Sequence, residues 1–303
     1  MSKSLLKRAS PLLLAVLVAA TLALGGCAEK ARTLQVGAAQ FETESLAAID
    51  RIDDLRRQEL AAPPVSDAEA MANFVRFAGN ADQAISDRDL RDWLHPLDAD
   101  LGDAEAEWET FIGKLRAQYA AFAGIFASLD RGSLFAAPAV KEAEVPLMPL
   151  IVQLAGFARA AENNPAQLWR WRAAIAEEMD VIREDSTIQD SEKRVRFEAQ
   201  YRRLKEVEAE EARLTRAVME QCLKAVIVGR ELRSLIIRYD KLSVDDIANG
   251  LSTALSLAGQ ATGRDLSSLS NRTGEVVASI NADPDLKVLL DTAIGEAQTA
   301  LTK

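Results

Sequence analysis

The chain has 303 residues and carries 36 Lys and Arg against 46 Asp and Glu, a net charge of −10 at pH 7. This acidity argues against a nucleic-acid binder, which needs a basic face, and against broad adhesion to anionic lipid head groups. Apolar residues make up 49% of the sequence, while glycine, proline and aromatic residues are few. A chain rich in alanine and leucine and poor in helix breakers favours an all-α fold.

The start of the chain has the order of a secretory signal. Lys3, Lys7 and Arg8 form a cationic stretch, and an apolar run over residues 11–24 follows. A membrane-spanning helix needs about 20 apolar residues, so this shorter run fits the apolar region of a signal peptide better. An uncleaved anchor, or an ordinary signal peptide beside an incidental cysteine, remains the alternative.

Leu24, Gly25, Gly26 and Cys27 close the apolar run. They resemble the lipobox of bacterial lipoproteins, a resemblance that covers only the beginning of the chain. It implies that the Cys27 thiol receives a diacylglyceryl group, that cleavage before Cys27 follows, and that the new amino group is acylated. Two or three acyl chains would make this attachment effectively permanent. With Ala28 in place of an aspartate, the resemblance implies the periplasmic face of an outer membrane, or the outer cell face in a host with one membrane.

Apolar residues recur at helical spacing along almost the whole body of the chain. The predicted helices are, in chain order, about 30–60, 66–78, 87–94, 103–130, 147–162, 165–182, 190–240, 244–258, 266–281 and 284–301. The helix at 147–162 is apolar on most sides, which predicts a central position. The predicted fold is an all-α, elongated multi-helix bundle with long coiled-coil-like helices and a short-helix C-terminal part.

The same pattern divides the chain into parts. They are a signal peptide at 1–26, an N-terminal helical part at 27–130, a loop at 131–146, a long-helix hairpin at 147–242 and short C-terminal helices at 243–303. In the longest helix, apolar residues recur at intervals of three, four and seven, which is typical of coiled-coil-like packing. Residues 205–213 (KEVEAEEAR) are nearly all polar. We therefore expect them to be poorly buried in a helix that projects from the body or crosses its surface.

The body lacks the short motifs of common chemistry, namely HExxH, the P-loop, GxSxG and paired CxxC. His95 is the only histidine, which excludes catalysis by two imidazoles and a histidine-rich metal site. The acidic stretch 98–109 partly matches an EF-hand calcium loop, but Gly102 stands where a ligand is needed and Asp103 where glycine must turn. An acidic first turn of a helix explains the stretch better. We predict no cofactor and no metal.

Cys222 is the only cysteine besides Cys27. A lipidated Cys27 cannot form a disulfide, so no internal bridge is expected. Cys222 lies at helical spacing from Val218 and Val226, which predicts a buried and inert thiol. An intermolecular bridge is the alternative.

Trp169, Arg170, Trp171 and Arg172 form the sequence WRWR. On a helix, residues two apart point about 200° away from each other, so the two tryptophans cannot share a face. One of them joins the apolar stripe, and the other is left near solvent or a second interface. Tryptophan and arginine are enriched in binding hot spots, so a partner or glycan could bind there. Core packing between neighbouring helices is the alternative.

Three functions are compatible with these observations. The favoured one is a membrane-anchored envelope lipoprotein, not an enzyme, that acts as a helical adaptor for another envelope protein. The second is a small-ligand or glycan binder with a pocket lined by aromatic residues such as Trp93, Trp108 and Trp169. The third is a cell-wall enzyme that works through carboxylates, although no pair of carboxylates stands out.

Overall fold

The computed structural model describes residues 11–60, 87–127, 136–261 and 263–302, with side chains from Glu29 onward in the first helix and from Glu105 onward in the second. These residues form helices and no strand, so the predicted all-α bundle is confirmed. The helices are α1 (Pro11–Leu60), α2 (Asp87–Ala127), α3 (Ala136–Glu142), α4 (Glu144–Asn163), α5 (Trp169–Glu184), α6 (Asp190–Ile237), α7 (Val244–Gly259), α8 (Leu266–Asn281) and α9 (Pro284–Thr302), with a 3-10 turn at Tyr239–Lys241.

The centre of the bundle is formed by α4 and α6. Most residues of α4 are buried, and the helix packs between α6 and α9, so the central position predicted for 147–162 is confirmed. α6 also contacts α1, α5, α7 and α8. At Gly229 an added Cβ would lie 2.6 Å from Phe41 Cε2 and 2.8 Å from Ile151 Cγ1. Glycine therefore allows α1, α4 and α6 to meet closely at this point.

α1 and α6 run antiparallel. Near one end, Lys30 Nζ lies 5.8 Å from the centre of the Tyr239 ring. Further along, Gln221 Nε2 donates to Glu44 Oε2 at 2.7 Å. This register brings the end of α1, at Leu60, beside the middle of α6, so the first part of α6 continues beyond α1.

Three local predictions differ from the structure. α1 begins at Pro11 rather than near residue 30. α2 is one helix, although a stop was expected at His95 and Pro96. A single proline costs a helix about 3 kcal/mol, which good helix formers on both sides can offset. The predicted loop at 131–146 contains α3, and the predicted helix at 66–78 lies outside the described residues.

The three short C-terminal helices agree with their predicted positions within a residue or two. Ser243 and Asp246 form a capping box at the start of α7, where Ser243 Oγ accepts from Asp246 N and the Asp246 carboxylate accepts from Ser243 N. Asp265 caps α8 by accepting from Ser268 N at 2.8 Å. Such caps satisfy backbone groups that the first helical turn leaves free, so they set the boundaries locally. Among the described side chains, no helix is long and apolar enough to cross a membrane.

Candidate functional site

The hairpin of α5 and the first part of α6 is the least buried portion of the described chain. We call α5, the turn at 185–189 and residues 190–206 of α6 the arm. In α5 only Ile175 and Ile182 are buried, and in α6 no residue before Val207 is buried. α5 packs chiefly on α6, with a small contact to α1. The arm is thus a two-helix projection that begins where α1 ends.

The chain enters the arm through residues 164–168, which are not helical. Three consecutive backbone N–H groups of this segment donate to side chains of α1 and α6. These bonds are Ala166 N to Thr215 Oγ1 (2.8 Å), Gln167 N to Glu59 Oε1 (3.0 Å) and Leu168 N to Glu211 Oε1 (2.9 Å). Because side chains satisfy these N–H groups, α5 begins at Trp169, and the predicted start at Pro165 is wrong. We call this set of bonds the arm clamp.

Glu211 is the centre of the arm clamp and is only 8% exposed. Arg172 donates to it through Nε at 2.8 Å and through Nη2 to the other carboxylate oxygen. This hydrogen bond raises the pKa of Arg172. The two hydrogen bonds from Arg172 and the one from Leu168 N replace the bonds to water that the Glu211 carboxylate loses on burial, so they offset its desolvation cost. Residues 205–213 are therefore not uniformly exposed as expected, since Val207 and Glu211 are buried.

Glu59 connects the arm clamp to the body and is also 8% exposed. Burial raises its pKa, while the bond from Gln167 N and the charge of Arg56 act in the opposite direction. Arg56 donates to Glu59 Oε2 at 3.4 Å and to the carbonyl of Leu301 at 3.5 Å. Through Glu59 and its neighbour Arg56, the arm clamp is connected to α1 and to the end of α9.

Glu59 and Glu211 were missed by sequence reasoning. Each follows an apolar seam residue by four positions, Leu55 and Val207 respectively, and so lies on a buried helix face. An acidic residue on an apolar stripe was the one feature of the sequence that could have indicated them. The residues that each glutamate binds are distant in sequence, so the arm clamp itself was not predictable from a local pattern.

The two tryptophans of WRWR lie on different faces, as their spacing predicts. Trp169 is 56% exposed, and the Arg170 guanidinium lies 5.1 Å from the centre of its ring. Trp171 is half-buried and packs against the core with the stripe of Leu168 and Ile175. Arg172 pairs with Glu211, and of the four residues of WRWR only Trp169 is exposed.

A groove of about 340 Å³ lies between α5, α6 and the end of α1. Its apolar lining consists of Leu168, Trp171, Ile175 and Val207. The polar residues that line it are Gln58, Arg203, Glu206 and Glu210. This volume is at the small end of the range for ligand pockets.

The other candidate residues are not brought to this groove. Trp108 is buried in the core and donates through Nε1 to Asp53 at 2.9 Å, so it does not share a pocket with Trp169. The side chains of Trp93, His95 and residues 24–27 lie outside the described part, so lipidation of Cys27 stays a prediction. Within the described side chains, no group of His, Cys, Asp or Glu could hold a metal ion.

Two sequence features receive a structural explanation. Cys222 is fully buried, as predicted, and burial raises the pKa of its thiol to about 12. The backbone of residues 98–109 is helical, which is incompatible with a calcium loop. Within that stretch, Glu109 pairs with Arg57 of α1 at 3.3 Å.

Comparison with protein-family models, with curated proteins and with solved structures finds no match for this chain.

Proposed function

We propose that the mature protein is a cell-envelope lipoprotein, held in the membrane by lipid on Cys27, that acts without catalysis as an adaptor for another envelope protein. The anchor is supported by the order of cationic stretch, apolar run, Leu24, Gly25 and Gly26 before Cys27. In a host with two membranes, Ala28 favours the periplasmic face of the outer membrane.

The observation that carries the adaptor role is the arm. It leaves large apolar side chains in water, with Trp169, Val195 and Tyr201 each more than half exposed. The two helices of the arm leave these side chains exposed, whereas a helix or groove of a partner can bury them. Exposed aromatic residues on a rigid helical support are typical anchors of protein interfaces.

The position of the arm relative to the anchor also supports this role. As a helix, residues 27–60 measure about 50 Å, and the arm adds about 28 Å beyond the end of α1. The tip of the arm would therefore lie on the order of 75 Å from the lipidated end. If the protein is anchored through Cys27, the exposed apolar side chains of the arm would lie far from its own membrane.

The groove beside Trp171 supports a second candidate, binding of a glycan or another small ligand. Its floor is apolar and aromatic, and Arg203, Glu206 and Glu210 supply hydrogen-bonding groups. A stacked sugar ring on an indole face with polar groups around it is a chemically reasonable occupant. A ligand here would occupy the side of the arm, whereas a protein partner would cover its exposed residues.

The adaptor role is tested by photo-crosslinking in intact cells. A photoreactive phenylalanine analogue replaces Val195 or Tyr201 of the arm, and in a matched control it replaces Val288 of α9, which is 67% exposed. We expect one abundant envelope protein to be crosslinked from the arm positions and not from position 288. Absence of adducts from the arm, or equal adducts from all positions, would contradict the role and direct attention to glycans.

The anchor is tested by Cys27→Ser. Without the thiol no diacylglyceryl group can be attached, so we expect unprocessed precursor or release from the membrane fraction. Cys222→Ser provides the control, because it removes the other thiol and should leave processing unchanged. A Cys27→Ser protein that still matures and remains membrane-bound would rule out the lipoprotein assignment.

A further inference from the structure

Three arginines surround a cleft at the other end of α6. Arg230, Arg233 and Arg238 line a volume of about 330 Å³ between α6, α4, α8 and α9. The rest of the lining is apolar or hydroxylic, and no acidic residue belongs to it. The apolar members are Ile237 and Leu286, which are accessible, and Met148, Ile151 and Ile280, which are buried. We call this site the arginine cleft.

The arginines are not all neutralised. Arg233 is paired with Glu144, whose Oε1 accepts from Nε at 2.8 Å. Arg238 donates to Ser234 Oγ at 2.8 Å, and the carboxylate of Glu231 is 4.0 Å away.

Arg230 has the weakest counter-charge of the three. Its Nη2 donates to the hydroxyl of Ser279 at 2.8 Å, and no carboxylate of the described residues forms an ion pair with it. The side chain is exposed, so its guanidinium keeps free donors. In a chain of net charge −10, a cleft with an excess of cations is a local exception that favours an anion.

The arginine cleft lies at the end of the bundle where the proposed anchor is attached. Arg238 directly precedes Tyr239, and Lys30 stands over the ring of Tyr239. Lys30 is three residues after Cys27 in α1. Along a helix that separation is about 4.5 Å. A lipid on Cys27 would therefore hold this cleft close to the membrane surface.

We propose that the arginine cleft binds one anionic phospholipid, with its phosphate on Arg230 and Arg238 and part of an acyl chain against the accessible Ile237 and Leu286. Guanidinium groups match phosphate oxygens in geometry and charge. The apolar side chains distinguish an amphiphile from a free anion, which would gain nothing from them. The site is independent of the adaptor role of the arm. Its choice of a membrane lipid rests in part on the proposed anchor.

The test is native mass spectrometry of the purified full chain in an uncharged detergent. Phosphatidylglycerol and phosphatidylcholine with identical acyl chains are added at equal concentrations. We expect a single phosphatidylglycerol adduct, populated about tenfold more than the phosphatidylcholine adduct, because the two lipids share the phosphate but the cationic choline group would lie among the arginines and be repelled. Equal binding of the two lipids, or no adduct on folded protein, would overturn the proposal. The intact mass reports acylation of Cys27 in the same spectrum, so failure of the anchor and failure of the cleft are distinguishable.

Matched variants locate the site. Arg230→Gln removes an exposed charge and should weaken phosphatidylglycerol binding about tenfold. Arg216→Gln removes another exposed arginine of α6, remote from the cleft, and should leave binding unchanged. If both variants behave alike, the adduct is not in the cleft and the proposal fails.

A second pair separates lipid from free anion. Ile237→Ser removes an apolar residue of the cleft that is 52% exposed, so the fold should tolerate it. We expect it to weaken the phosphatidylglycerol adduct severalfold, whereas Val195→Ser on the arm should not. The last part of the test is competition by millimolar inorganic phosphate. If phosphate alone displaces the lipid completely and Ile237→Ser has no effect, the cleft is a free-anion site and the lipid assignment is wrong.

Discussion

Ser45 is fully buried in α1, and its hydroxyl has no hydrogen-bond partner among the residues that the structure describes. An unsatisfied buried hydroxyl costs about 1–3 kcal/mol. We therefore predict that Ser45→Ala raises the free energy of unfolding by about 1 kcal/mol, measured by urea denaturation. Ser243→Ala is the matched control, because it deletes the cap of α7 and should lower the same quantity by about 1 kcal/mol. A loss of stability in Ser45→Ala would mean that its hydroxyl is satisfied.

Cys222 is expected to be chemically inert in the folded protein. Burial raises the pKa of its thiol to about 12, and the thiolate is the reactive species. At pH 8 the thiol is therefore protonated as well as inaccessible. We predict no reaction with a disulfide reagent at pH 8 in native buffer and full reaction in denaturant. Rapid native labelling would contradict the burial of this residue.

At the scale of elements, the arm depends on the arm clamp. Glu211→Gln replaces the buried carboxylate that accepts from Leu168 N and pairs with Arg172. We predict a loss of about 2 kcal/mol, since a hydrogen bond to a charged group contributes about 1.5–3 kcal/mol. Glu210→Gln is the matched control, because Glu210 forms an i,i+3 pair with the exposed Arg213 and its carboxylate is not part of the arm clamp.

The clamp variant should act locally. Hydrogen exchange should become faster in α5 for Glu211→Gln, while α4 stays protected, because α5 has few buried contacts of its own. Equal acceleration in both helices would mean that Glu211 supports the whole bundle. No acceleration in either would mean that packing of Ile175 and Ile182 alone holds the arm.

At the scale of the whole molecule, a thiol count tests how the protein is attached. The chain has two cysteines, and the proposed lipidation would consume the thiol of Cys27. Membrane-extracted protein in denaturant should therefore show one thiol, that of Cys222. Two thiols would show that Cys27 is unmodified. The Cys222→Ser variant calibrates the assay, since it should then show none.

The helices were predictable where the information is local. Those at the C-terminus agree with the sequence because Ser243 and Asp265 cap them with bonds to residues three positions later. The burial of Cys222 and the split between Trp169 and Trp171 also follow from helical spacing alone. Within the candidate site, the spacing therefore predicts that the two tryptophans lie on different faces of the helix.

Other features required distant parts of the chain to meet. The start of α5 moved from Pro165 to Trp169 because Glu59 and Glu211 take the N–H groups of the preceding segment. Trp108 does not join Trp169 in a pocket, because it turns into the core toward Asp53. The arginine cleft likewise combines α6 with α4, α8 and α9, so no local pattern indicates it.

By itself, the sequence determined the helical class, the central position of α4, the C-terminal helix boundaries and the lipobox-like start. Each depends on periodicity, capping or a short motif, and these operate within a few residues. Only the tertiary structure decided that the arm leaves its apolar side chains exposed, that two buried glutamates hold its base, and that three arginines share one cleft. Those features depend on the antiparallel register of α1 and α6 and on packing between helices, which join residues far apart in the chain.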